Sequence, residues 1–96
     1  MGDISILAFH ESHMMDGMDA MDKRKKLGSR VRQLRYEHRI NRKQFALMIG
    51  MDRGYLAGIE TGKYNATFDK LADIADGFGI TLSELLAGVD DRPQQS

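Results

Sequence analysis

The chain has 96 residues, 29% of them charged and 42% hydrophobic, with no cysteine and a formal net charge of zero. That length suits one domain whose core folds without staples. The lack of cysteine excludes a disulfide framework, a thiol nucleophile and a thiolate metal site, and it fits a reducing cytoplasm. No apolar run approaches the roughly 18–20 residues that span a bilayer. Asp3 precedes Ile4, Ile6, Leu7 and Phe9 where a signal peptide would carry Lys or Arg, so no membrane partner and no targeting segment are expected.

Zero net charge conceals a strong segregation. Residues 1–22 carry five acids and no Lys or Arg, giving −5; residues 23–65 carry twelve Lys/Arg against Glu37, Asp52 and Glu60, giving +9; residues 66–96 come to −4. Screening limits each block to a reach of about 10 Å at moderate salt, so the distribution matters more than the sum. A basic block of that size can face phosphate while the acidic ends lie elsewhere.

Residues 1–22 show no firm period and are expected to form an acidic, Met-rich tail, with docking of a protein partner as the sharper reading of Met14, Met15, Met18 and Met21. His10 and His13 have an HxxH look, yet two histidines on a tail make a poor metal site. From Lys23 the helix signals become regular, and residues 23–89 read as one domain. Leu27, Val31 and Leu34 recur at i, i+4 and i+7, which predicts a helix over about 25–38. Asn41 with Gln44 makes a capping box for a second helix, whose buried face is Phe45, Ala46 and Ile49, and Gly50 ends it. Asp52 caps a third helix anchored by Leu56 and Ile59 and ended by Gly62. Thr67 caps a fourth with Phe68, Leu71, Ile74, Ala75 and Phe78 inward, and Gly77 and Gly79 mark its end. Thr81 and Glu84 box a fifth carrying Leu82, Leu85 and Leu86, closed by Gly88; residues 90–96 are a polar tail. Nothing alternates with period two, so no sheet is expected.

The second helix is two turns long and only Gly50-Met51-Asp52 separates it from the third, so the two must cross steeply. That geometry demands a small residue where the backbones approach, met by Ala46. It demands a residue tolerant of positive φ in the turn, met by Gly50. It also demands an apolar seam, supplied by Phe45, Ile49, Met51, Leu56 and Ile59.

This segment resembles the helix-turn-helix of the phage repressor/Cro family, also called the Xre family, over about residues 25–88. The likeness is carried by the run from Asp52 to Asn65, with its aromatic-aliphatic pair Tyr55-Leu56, its Ile59-Glu60, its Gly62-Lys63 and Asn65, and by Thr67-Phe68 through Leu71 and Gly79 through Leu86. The resemblance implies an all-α, five-helix, lambda-repressor-like fold in a bacterial or phage-derived cytoplasmic regulator that needs no cofactor and no metal. It implies that the third helix enters the major groove of double-stranded DNA while the second lies across the backbone. Carried onto this chain, the base-reading candidates are Arg53, Gly54, Tyr55, Ala57 and Gly58, and the phosphate candidates are Asn41, Arg42, Lys43, Lys63, Tyr64 and Asn65. Arg53 can offer two donors to guanine or meet only phosphate; Tyr55 can touch a thymine methyl or phosphate, or pack on the helix flank. Gly54 and Gly58 bring no side chain to the groove, so either the backbone approaches DNA closely or direct readout is sparse. In the family an arginine late in the first helix pairs with the glutamate ending the third, which here makes Arg35 and Glu60 a structural ion pair.

The function expected from these features is a homodimeric, sequence-specific transcriptional regulator acting as a repressor, with Leu85, Leu86 and Val89 as the candidate dimer surface and core packing as their plainer role. The alternative is a protein-interaction module or antitoxin-like component whose residues 1–22 bind a protein partner. An enzyme is the least expected class, because His10, His13 and His38 have no evident nucleophile or paired acid.

Overall fold

The computed structural model describes residues 22–90, and all of their regular structure is helical. His10, His13, the methionines between 14 and 21, the proposed partner-binding role of that stretch, and residues 91–96 lie outside the described residues.

The first helix, α1, covers 22–37, starting about a turn earlier than the apolar stripe requires. It faces the core with Leu27, Val31 and Leu34. Its C-terminus closes with two bonds, Arg39 N–H donating to the Tyr36 carbonyl and Ile40 N–H to that of Arg35, each at 3.0 Å. This six-to-one, five-to-two pairing needs a left-handed residue at Arg39, which sits at φ 57°. No glycine marks the position.

Helices α2 (Arg42–Met48), α3 (Arg53–Glu60), α4 (Phe68–Phe78) and α5 (Leu82–Leu85) follow. Each begins at the residue expected to cap it. Asn41 and Gln44, and again Thr81 and Glu84, exchange reciprocal capping bonds; Asp52 accepts from Tyr55 N–H and Thr67 from Lys70 N–H. Caps of this kind contribute about 1 kcal/mol each, a useful increment for helices too short to persist alone.

The five helices enclose one buried cluster. Phe45 and Phe78 stack at its centre with ring centroids 4.2 Å apart, and Val31, Leu56, Ile74 and Leu85 are fully buried around them. Three expectations are corrected. Phe68 is 62% exposed, because the inner stripe of α4 is covered only from Leu71 onward. Gly77 lies within α4 and does not end it; its lack of a side chain admits Ile49 Cγ2 and the Phe45 ring, and the helix ends on Gly79. Helix α5 is a single turn, so Leu85 is in the core while Leu86, its C-cap, is 36% exposed. No helix among the described residues is long and apolar enough to cross a membrane.

Candidate nucleic-acid interface

Helices α2 and α3 turn about one compact joint. Gly50 takes φ 64°, letting Met51 N–H return to the Ala46 carbonyl at 2.9 Å while Met51 itself is buried. Asp52 Oδ2 accepts from Tyr55 N–H at 2.9 Å and sets the start of α3. At about 100° per residue, Leu56, Ile59 and Glu60 share one side of α3, and all three are buried. Gly54 and Gly58 fall on the opposite side; Arg53, on the first turn, is exposed like Gly54, and Ala57 is partly buried.

Glu60 anchors the inner side of α3. Its carboxylate, with no solvent exposure, accepts from Arg35 Nε at 2.6 Å, from Arg35 Nη2 at 2.9 Å and from Arg42 Nε at 3.0 Å. Its backbone carbonyl accepts from Arg32. The hydrogen bond to Glu60 holds the Arg35 guanidinium above its ordinary value against the lowering effect of burial, and the charge of Glu60 adds in the same direction. Arg35 Nη1 also donates to the Ile40 carbonyl at 3.1 Å. Gly28 completes the joint, since a Cβ there would overlap the Glu60 carbonyl; α1 and α3 meet backbone to backbone.

The structure separates the remaining candidates. Asn41 Oδ1 accepts from Gln44 N–H at 2.7 Å, so its side chain serves its own helix. Arg42 commits Nε to Glu60 but keeps 37% of its side chain exposed. Lys43 and Arg53 are exposed and make no ion pair among the described residues. Lys63 holds its ammonium 5.4 Å from the Tyr64 ring centroid, and Asn65 is exposed. Tyr55 is partly buried and stacks on Tyr64. Gly58 is buried and covered by the Tyr64 ring, which corrects its place among residues facing a groove. Leu85 is likewise removed from the candidate dimer surface by complete burial, leaving Leu86 and the partly buried Val89.

Sequence reasoning missed how many cations are already engaged within the chain. Arg30 donates to the carbonyls of Glu84 and Leu85, tying α1 to α5, and Lys23 pairs with Asp90 at 2.8 Å. These partners lie more than fifty residues along the chain from the cations they meet, so no local pattern marks them.

A model of the helix-turn-helix domain matches residues 28–91. The control protein C.MunI of a Mycoplasma species is 38% identical over 66 residues, 68% of this chain and 89% of that protein. The uncharacterized HTH-type transcriptional regulator y4dJ of Sinorhizobium fredii is 32% identical over 73 residues, 76% of this chain and 95% of the relative. The crystal structure of the restriction-modification controller protein C.AhdI from Aeromonas hydrophila superposes with a TM-score of 0.63 at 31% identity, covering 65% of this chain and 94% of the other. With the capped α2–α3 joint and the exposed first turn of α3, these matches identify the chain as a member of the helix-turn-helix family of DNA-binding transcriptional regulators, a family of regulators and not of enzymes.

Proposed function

We propose that this protein represses transcription by binding a two-fold-symmetric operator as a homodimer, with α3 of each protomer seated in the major groove. The observation that carries this reading is the two-sidedness of α3. Its inner side is locked by the buried Glu60, while Arg53 and Gly54 on its first turn are exposed. Arg53, on the first turn, is the candidate for bidentate donation to guanine O6 and N7, worth about 1–3 kcal/mol of discrimination. Gly54 is open, with only its own capping Asp52 near where a Cβ would lie, so the backbone can approach a base edge there. Arg42, Lys43 and Lys63 are the phosphate contacts of this reading, and Asn65 a further polar one.

Pairing is proposed because one module covers too little duplex for tight specific binding, and a second half-site about 34 Å away supplies the rest. Leu86 and Val89 are the residues offered for that contact. Selection of bound duplexes from a random pool tests both points: a two-fold-symmetric consensus, with binding that weakens as salt rises, is expected. Failure to retain any duplex at low salt, or affinity indifferent to salt, refutes the proposal.

A further inference from the structure

Gly58 and Tyr64 are two halves of one feature. A Cβ on residue 58 would clash with the Tyr64 ring, and the three heavy atoms nearest to that point are all carbons of that ring. The backbone holds the ring there, because the Gly58 carbonyl accepts from Lys63 N–H at 2.8 Å, from Tyr64 N–H at 3.1 Å and from Thr61 Oγ1 at 3.2 Å. The Tyr55 ring stacks on that of Tyr64 with centroids 5.7 Å apart and planes 17° from parallel. Despite these contacts Tyr64 remains 40% exposed. The ring is thus braced on α3 while part of it stays open to solvent.

We infer that Tyr64, supplied by the loop after α3, takes the groove-facing position that residue 58 leaves empty, and that the braced Tyr55–Tyr64 pair selects thymine through its C5-methyl group. This rests on the reading that α3 lies in the major groove. The choice of base follows from chemistry. Guanine is read by two parallel donors and adenine by an amide that both donates and accepts, whereas thymine alone offers a methyl group to an apolar partner. Two stacked phenol rings supply carbon edges and neither bidentate pattern. Bracing also means little side-chain freedom is left to lose on binding, since Tyr has two rotatable bonds and both rings are already packed.

The test uses the full chain and the duplex recovered from random-pool selection, with each thymine replaced in turn by deoxyuridine, which removes only the methyl. Wild type should lose about fivefold or more in affinity at one thymine of each half-site. Tyr64→Phe should keep that dependence. Tyr64→Ala should bind thymine and deoxyuridine equally there, and Gly58→Ala, which displaces the ring, should do the same. A DNA-free arm reads the brace alone: Gly58→Ala should lower the melting temperature of wild type but raise it in the Tyr64→Ala background, where only the gain in helix propensity remains. Wild-type binding that ignores every deoxyuridine, or Tyr64→Ala that retains the dependence, overturns the inference while leaving the groove reading intact. Loss of the dependence in Tyr64→Phe overturns it in favour of the hydroxyl. Retention of no duplex at all overturns the groove reading with it.

Discussion

Replacing Glu60 with glutamine keeps the volume of the side chain and removes its charge from the junction of α1, α2 and α3. Arg35 is then left with a buried guanidinium, only 5% of its side chain exposed, facing a neutral amide. Arg35 Nε and Nη2 both point at carboxylate oxygens in the native structure, so whichever way the new amide turns, one of them meets an NH2 group. Removing one partner of a buried pair costs about 3–5 kcal/mol, because the other charge stays desolvated. Arg42 adds little: its side chain is 37% exposed, and a pair so open to water and salt contributes about 1 kcal/mol at most. A small domain holds about 5–15 kcal/mol in total, so Glu60→Gln removes a large share of it. At roughly 4–8 °C per kcal/mol for a domain of this size, the melting temperature should fall by about 12 °C or more. Circular dichroism melts and urea titrations of wild type, Glu60→Gln and Arg42→Gln measure the two contributions separately. A double replacement of Arg35 by Met and Glu60 by Leu should recover most of the loss, because no uncompensated buried charge remains and Arg42 is open to water. A Glu60→Gln loss below about 1 kcal/mol, or an Arg42→Gln loss as large, would refute this account of what holds α3 in place.

Three glycine-related substitutions should sort by what lies next to them. Gly28→Ala forces a Cβ onto the Glu60 carbonyl, and backbone cannot yield as a side chain does; the loss should be near the upper end of the roughly 1–3 kcal/mol range for overpacking, read by urea unfolding. Gly77→Ala meets Ile49 Cγ2 and the Phe45 ring, which can shift, and gains about 1 kcal/mol in helix propensity, so its net loss should be smaller than that of Gly28→Ala in the same assay. Arg39→Gly should stabilise by about 1 kcal/mol, because Arg39 is exposed and held at φ 57°, where glycine carries no steric penalty. That gain would appear as a melting temperature higher by roughly 4–8 °C.

What was legible in the sequence was local. The capping bonds of Asn41, Asp52, Thr67 and Thr81 join residues three apart, so a side chain of the right type at the right offset suffices to place them. The α2–α3 joint was legible for the same reason, as Ala46, Gly50 and Met51 must meet its demands within six residues. What was not legible depends on neighbours distant along the chain. Gly28, Gly58 and Gly77 look like weak points in helices until the Glu60 carbonyl, the Tyr64 ring and the Ile49 and Phe45 side chains are seen to occupy the space each leaves. Gly58 in particular reads as a gap in the outer face of α3, when it is the seat of a ring from the following loop. Phe68 fits the apolar period of α4, but period gives the direction of a stripe and not how far the body beneath it extends. Arg39 carries no signal at all, because its left-handed geometry is imposed by the closing bonds of α1 on a residue with no preference for it.

The same long-range contacts change the arithmetic of the charge argument. Of the twelve Lys/Arg between residues 23 and 65, Arg35 is consumed in the core, Arg32 and Arg42 also converge on Glu60, Arg30 binds the end of α5, and Lys23 pairs with Asp90. The basic block is therefore partly scaffolding, and its net charge overstates what can face a polyanion. If Arg42 (through its uncommitted guanidinium nitrogens), Lys43, Arg53 and Lys63 are the cations that meet DNA, a dimer brings eight of them. At about 0.9 per phosphate contact, the logarithm of the affinity should then fall with the logarithm of salt with a slope near −7. Use of all twelve by each protomer would give a slope near −22. Adding Arg24, Lys25, Lys26 and Arg39, which hold none of these contacts, would bring the slope only to about −14, so a value steeper than that means that the cations around Glu60 and α5 leave their partners to bind DNA, while one close to the smallest figure means that they hold the recognition helix in place.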